Sequence, residues 1–220
     1  MTTFPTSAPI SVVLDVPAGR VRLVAADRAD TTVEVLPADA AKGRDAKAAE
    51  QTRVEYGDGV LRITAPSGGQ ILGPSGSVEI TVHLPAGSGV EAKTASLELQ
   101  AAGRLGEVAL EGAHGPVEIE EAAGVRLATD AGDVRIGRLS GSADITTAKG
   151  DITITEAVRG TVVLRTQAGQ ITVGAAPGVS ASLDAGTSHG RITNALKNDG
   201  TADLAIQATT AHGDITARSL

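Results

Sequence analysis

Cysteine and tryptophan are absent from these 220 residues, and Phe4 and Tyr56 are the only phenylalanine and tyrosine. A compact core of this length ordinarily uses large rings. Burial here has to come from Val, Ile, Leu and Ala, which suits narrow, layered packing. The lack of cysteine fits a chain that needs no disulfides. Sugar recognition usually calls for exposed rings in a cleft, and only Tyr56 offers one. The net charge is −7, with no run of Lys and Arg. Without a basic stripe or a stacking platform, nucleic-acid binding is disfavoured. No segment approaches 18 apolar residues, and "MTTFPTSAPISVVLD" at the start has neither a basic region nor a long apolar one. No membrane span or signal peptide is therefore expected, and for a full-length chain the expected compartment is the cytoplasm.

What the chain does have is glycine, 27 residues of it, with a hydrophobic content of 41%. The glycines point to tight turns rather than disorder, because the apolar residues are periodic. Gly115, Gly132, Gly150, Gly169, Gly190 and Gly213 fall 17 to 23 residues apart. Two residues after each stands Val117, Val134, Ile152, Ile171, Ile192 or Ile215, and two further on Ile119, Ile136, Ile154, Val173, Asn194 or Ala217. Three residues before the glycine stand Thr129, Thr147, Thr166, Thr187 and Thr210, with Gly112 the exception. Upstream lie pairs such as Val125/Leu127, Val162/Leu164, Ala181/Leu183 and Leu204/Ile206. Each unit thus reads as two short strands joined by a Thr-x-x-Gly corner.

Two strands per unit with no helix between them predict an all-β fold, a parallel β-solenoid (β-helix) of about six to seven coils. The general preference of parallel crossovers makes it right-handed. Six coils at about 4.8 Å give a rod about 30 Å long. The last two units carry two extra residues before the threonine, at 184–186 and 207–209, expected to bulge outward. Residues 1–88 are expected to form an irregular β region that caps the solenoid of 89–220, with a short helix over 45–51 and a loop at "SGGQILGPSG".

The stretch "LPAGSGVEAKTASLELQ" (84–100) and the Thr-x-x-Gly-Asp-Ile units after it resemble a bacterial group common in actinobacteria, the putative-adhesin β-strand-repeat family of unknown function. The resemblance covers nearly the whole chain, including 12–66 with "AAEQTRVEYGDGVLRIT". It implies a β-solenoid and brings no catalytic residues. One departure is visible: "ASLEL" follows Thr94 where other units supply Gly-Asp, which shortens that corner.

Several columns of the repeat hold groups capable of chemistry. The corner threonines read as a ladder of hydroxyls bonding turn backbone. A second column, Thr153, Thr172, Thr193 and Thr216, faces outward; such arrays can bind flat, ordered surfaces, but Thr is also an ordinary strand residue. His114, His189 and His212 share a column, and His189 and His212 fall in neighbouring coils about 5 Å apart. With Asp214 they are the candidate metal ligands for zinc or copper, against the default of solvent-facing turn residues. Asp133 and Asp151 also stack, a pattern that can bind calcium or do acid–base work, although Pro116, Gln170 and Arg191 in the same column read as surface tuning. No Gly-x-Ser-x-Gly, phosphate loop or dinucleotide fingerprint occurs.

The sequence therefore predicts a non-catalytic structural or protein-interaction module without a cofactor, a rigid acidic solenoid that self-associates or presents flat faces to a partner. The chain stops at "HGDITARSL", so the last coil is expected to leave a parallel edge at Asp214, Ile215, Thr216 and Arg218 through which a homodimer forms. The alternatives are a metal-binding protein or enzyme centred on His189 and His212, and an exported adhesin.

Overall fold

The computed structural model describes residues 1–66 and 76–220. All but the last residue of the loop expected at "SGGQILGPSG" lies outside the described residues. Strands β1 (Thr2–Pro5), β2 (Ser11–Asp15), β3 (Ala18–Ala26) and β4 (Asp30–Pro37) precede helix α1 (Gly43–Gln51). Strands β5 (Arg53–Gly57), β6 (Val60–Thr64), β7 (Val78–Pro85) and β8 (Gly89–Lys93) follow. Two long strands, β9 (Ser96–His114) and β10 (Val117–Ala131), come next, then β11 (Val134–Leu139), β12 (Ala143–Lys149), β13 (Ile152–Ala157), β14 (Gly160–Ala168) and β15 (Ile171–Ala175). The last four are β16 (Ala181–His189), β17 (Ile192–Ala195), β18 (Leu204–His212) and β19 (Ile215–Ser219).

These strands form two columns of mostly parallel pairs, an all-β solenoid-like stack. One column runs β5, β6, β2, β8, β9, β10, β12, β14, β18, β16. The other runs β1, β4, β7, β3, β9, β10, β11, β13, β15, β19, β17. β9 and β10 serve both, because each continues through the corner. Burial alternates along the strands, as in β12, so the apolar residues of both columns meet in one interior. Val117, Val134, Ile152, Ile171 and Ile215 stack on one another at 1% exposure or less. Each such side chain adds about 1.5–3 kcal/mol of hydrophobic stabilisation.

The corner glycines are set by backbone contact. A Cβ on Gly132, Gly150, Gly169, Gly213 or Gly190 would land on the carbonyl oxygen of Gly115, Gly132, Gly150, Gly169 or Gly213 respectively. Only a residue without a side chain lets successive corners come this close.

Spatial order departs from chain order at both ends. β18 lies between β14 and β16, and β19 between β15 and β17, so the last unit is spliced between the two before it. Likewise β2 lies between β6 and β8, and β3 between β7 and β9. Composition supplies a reason at the C-terminal side. The spliced unit points Leu204, Ile206, Ala208, Ile215 and Ala217 inward, whereas its outer neighbour offers Ala181, Leu183, Ala185, Ile192 and Asn194. The more apolar coil takes the position with two neighbours.

The expected outward bulges are absent. β14, β18 and β16 pair without a break in register, with Thr166, Thr210 and Thr187 in line. Ile206 and Leu183 lie opposite Val162, and Ala208 and Ala185 opposite Leu164, so the two extra residues sit in line within strands of the same length as β14. Because side chains alternate with period two, two added residues keep every side chain on its face.

Within residues 1–88, β2, β3, β6 and β7 extend the columns in parallel register. β4 and then β1 add antiparallel strands outside β7, and β5 does so outside β6. Helix α1, starting two residues before the expected 45–51, packs on β4 and β7 and buries Asp45, whose carboxylate accepts the Ser77 N–H at 3.0 Å. Phe4 on β1 and Tyr56 on β5 meet with ring centroids 5.4 Å apart, joining the two columns across this end.

Candidate functional site: the open end of the stack

The opposite end carries no antiparallel strand or helix among the described residues. Among the described residues β16 pairs only with β18, and β17 only with β19. One amide position marks the edge. Val117, Val134, Ile152, Ile171 and Ile215 each donate their N–H to the next coil, at the carbonyls of Asp133, Asp151, Gln170, Asp214 and Arg191, over 2.9–3.0 Å. Ile192 holds the same position in the outermost coil, with no further coil beyond it among the described residues. Its side chain is 46% exposed, against 1% for Ile215. Residues 196–203 cross part of this end: Ala181 N–H donates to the Lys197 carbonyl at 2.9 Å, and the Asn198 side-chain amide donates to the Ala181 carbonyl at 3.1 Å.

The expected edge at Asp214, Ile215, Thr216 and Arg218 is therefore interior. Ile215, Thr216 and Arg218 belong to β19, which is paired on both sides, opposite Ile171, Thr172 and Gly174 on one and Ile192, Thr193 and Ala195 on the other, and Asp214 just before it bonds to Ile171 and Arg191 on the same two sides. The edge belongs to β16 and β17. Asn194 was the available signal, since it is the polar residue in a column otherwise filled by Ile119, Ile136, Ile154, Val173 and Ala217 and so marks the coil with an unshared side.

The histidine column forms as expected: His189 and His212 pair across β16 and β18 with rings stacked, centroids 4.7 Å apart and planes 1° from parallel. Asp214 does not join them as a ligand. Its carboxylate accepts the Arg191 N–H at 2.9 Å and lies 3.4 Å from the guanidinium. The first of these bonds holds its carboxyl below the usual carboxylate range. Among the described residues no group of three His, Cys, Asp or Glu side chains is placed to hold a metal ion. His114 stands apart, 3.4 Å from Asp130.

The other candidate columns hold the stack together. Thr166, Thr210 and Thr187 donate their hydroxyls to the carbonyls of Gly150, Gly169 and Gly213, each at 3.1 Å. Asp133 accepts the Asp151 N–H at 3.0 Å, and Asp151 accepts the Gln170 N–H at 2.7 Å, so both carboxylates cap backbone of the next coil. The outward threonines line up as Thr153, Thr172, Thr216 and Thr193. Opposite charges face each other between coils, as in Glu118–Arg135, Asp144–Arg165 and Arg138–Glu156. Exposed pairs of this kind are worth about 0–1 kcal/mol each and mainly favour register. No helix among the described residues is long and apolar enough to cross a membrane.

Two columns of mostly parallel strands with threonine and glycine corners and one open end define a β-strand-repeat fold. The chain belongs to the Toastrack DUF4097 family, whose sequence profile matches residues 11–219. A putative adhesin from Bacteroides fragilis superposes with a TM-score of 0.53 at 14% identity, covering 98% of this chain and 95% of that one. A putative cell adhesion protein from Clostridium sporogenes gives 0.43 at 11% identity, covering 100% and 98%. At these identities the likeness is one of fold. No curated protein matches the chain.

Proposed function

We propose that the protein is a non-catalytic interaction module that self-associates through its open end, the edge of β16 and β17. One observation carries this reading: antiparallel strands, a helix and an aromatic pair close one end, while the other stops at a parallel edge with Ile192 exposed. Such an edge is a template for another strand. Asp184, Arg191, Lys197 and Asp199 are all exposed on the outermost coil and the segment after it, which puts charges of both signs at the contact of two copies. The family and the adhesin-named fold neighbours support an interaction role over catalysis. We further take the two columns to wind as one right-handed solenoid.

Light scattering over a hundredfold concentration range tests the proposal. The unmodified chain is expected to dimerise, and Ile192→Lys, which puts a charge on the edge at an already exposed position, is expected to remain a monomer. A variant as dimeric as the parent, or a parent that stays monomeric throughout, counts against it. The adhesin names of the fold neighbours suggest the cell surface, and fractionating cells tests this.

A further inference from the structure

The last coil in the chain occupies a slot rather than an end. Its inward residues Leu204, Ile206, Ala208, Ile215 and Ala217 are at most 1% exposed. It is bonded on both flanks: Gly169 N–H donates to the His212 carbonyl, and Gly213 N–H to the His189 carbonyl, each at 2.9 Å. With this coil removed, β14–β15 and β16–β17 would face each other as two bare parallel edges about 10 Å apart, two strand spacings. That gap fits one more strand–corner–strand unit whose Thr and Gly meet those of Thr166 and Gly169. A second copy of this chain supplies the same unit.

The unit is joined to the coil before it by a single connection. Its tether, 196–203, is longer than the corresponding connections at 140–142, 158–159 and 176–180. All of it except Leu196 is exposed. Beyond the bonds to Ala181 it is held by Lys197 N–H to the Ser219 hydroxyl at 2.9 Å, Asp199 N–H to the Ser180 hydroxyl at 3.1 Å and, at its last residue, Asp203 N–H to the Ser180 carbonyl and Gly160 N–H to the Asp203 carbonyl at 2.9 Å each. Eight extended residues reach about 26 Å. In the closed chain the slot lies one strand spacing behind the outermost coil. When two copies meet at their open ends, the partner's slot lies two spacings beyond it, about 10 Å. The tether spans either distance.

We propose that β18–β19 exchanges between two copies of this chain meeting at their open ends, giving a reciprocally swapped dimer. This rests on the end-to-end association above and supplies its lock. Every contact in the slot is the same in monomer and dimer, so concentration, the tether and the end-to-end contact set the balance between them.

The absence of native cysteine makes the test direct. Val163 and Gln207 are register partners on β14 and β18, on the outer face. In the double variant Val163→Cys/Gln207→Cys, neighbouring strands bring the thiols within disulfide range. The protein is refolded from denaturant at high concentration, monomer and dimer fractions are separated and oxidised, and each is run on a non-reducing gel. The monomer fraction is expected at single-chain mass and the dimer fraction at twice that mass. A dimer fraction running wholly as single chains overturns the exchange but leaves the end-to-end contact standing; no dimer at any concentration overturns both. Arg165→Cys/Thr209→Cys, partners one step along the same strands, serves if the first variant fails to fold.

Discussion

The imidazole of His189 lies flat on that of His212, one ring per coil, with planes 1° from parallel. Ring-nitrogen lone pairs lie in the ring plane, so in this arrangement they run side by side instead of converging on one ion. Purified protein is therefore expected to contain far less than one zinc per chain and to show no tight uptake in calorimetric titration with zinc. One equivalent of zinc, lost on replacing His189 with alanine, would revive the metal-binding alternative.

The glycine column makes a sharper prediction. Gly150 has φ +144°, and a Cβ there would overlap the Gly132 carbonyl. Gly150→Ala is expected to lower unfolding free energy by about 2–4 kcal/mol through steric overlap and backbone strain. Gly178 also has a positive φ, +80°, but open space around it, so Gly178→Ala is expected to cost only about 1–2 kcal/mol. Denaturant midpoints measure both, and equal losses would sink the close-contact explanation.

Buried threonines divide into two groups. Thr166 and Thr210 each donate to a glycine carbonyl, whereas the Thr129 hydroxyl is buried with no partner among the described residues. Replacing Thr166 or Thr210 by valine should cost about 1 kcal/mol. Thr129→Val is expected to be neutral or stabilising, since it removes an unsatisfied buried group. A loss at Thr129 as large as at Thr166 would contradict this division.

Much of this architecture is written in the repeat. The Thr-x-x-Gly corners, the alternating Val and Ile and the outward Thr column all follow from local spacing, because each coil solves the same packing problem. Which coil neighbours which is another matter. β18 is compatible with β14 and with β16, and no local signal ranks sequential stacking against splicing. The ranking comes from comparing whole coils, Leu204, Ile206 and Ala217 against Ala181, Leu183 and Asn194. That is also why Ile215 reads as an edge residue in sequence and lies in the core in space. The open end was legible only in part, through Asn194.

Two carboxylates give that end a pH dependence. Asp214 is held below the ordinary carboxylate range chiefly by the Arg191 backbone N–H, and Asp199 chiefly by the Ser180 hydroxyl, then the Thr201 N–H. A depressed folded-state pKa contributes stability above the unfolded pKa, and that contribution is lost as pH falls through the folded value. Protection of the β16–β17 amides against hydrogen exchange, corrected for intrinsic rates, should hold from neutral pH to about pH 4 and drop below it. Asp214→Ala should show part of that drop already at neutral pH, at Arg191 first. A variant with the parent's full acid profile would rule out Asp214 as a source.

The splice also sets the order in which the molecule can be completed. During synthesis the ribosome delivers β16–β17 before β18–β19, yet the later pair ends up beneath the earlier one. The outermost coil must either wait without a neighbour or dock on β14–β15 and be displaced. In both cases the final event is insertion between strands, which closes contacts such as Thr210 to Gly169, 41 residues apart. Contacts of such sequence separation form slowly. A stack that grows through its middle one coil upon the last thus fills a gap behind its own tip, and the newborn chain carries that gap until β18 and β19 emerge.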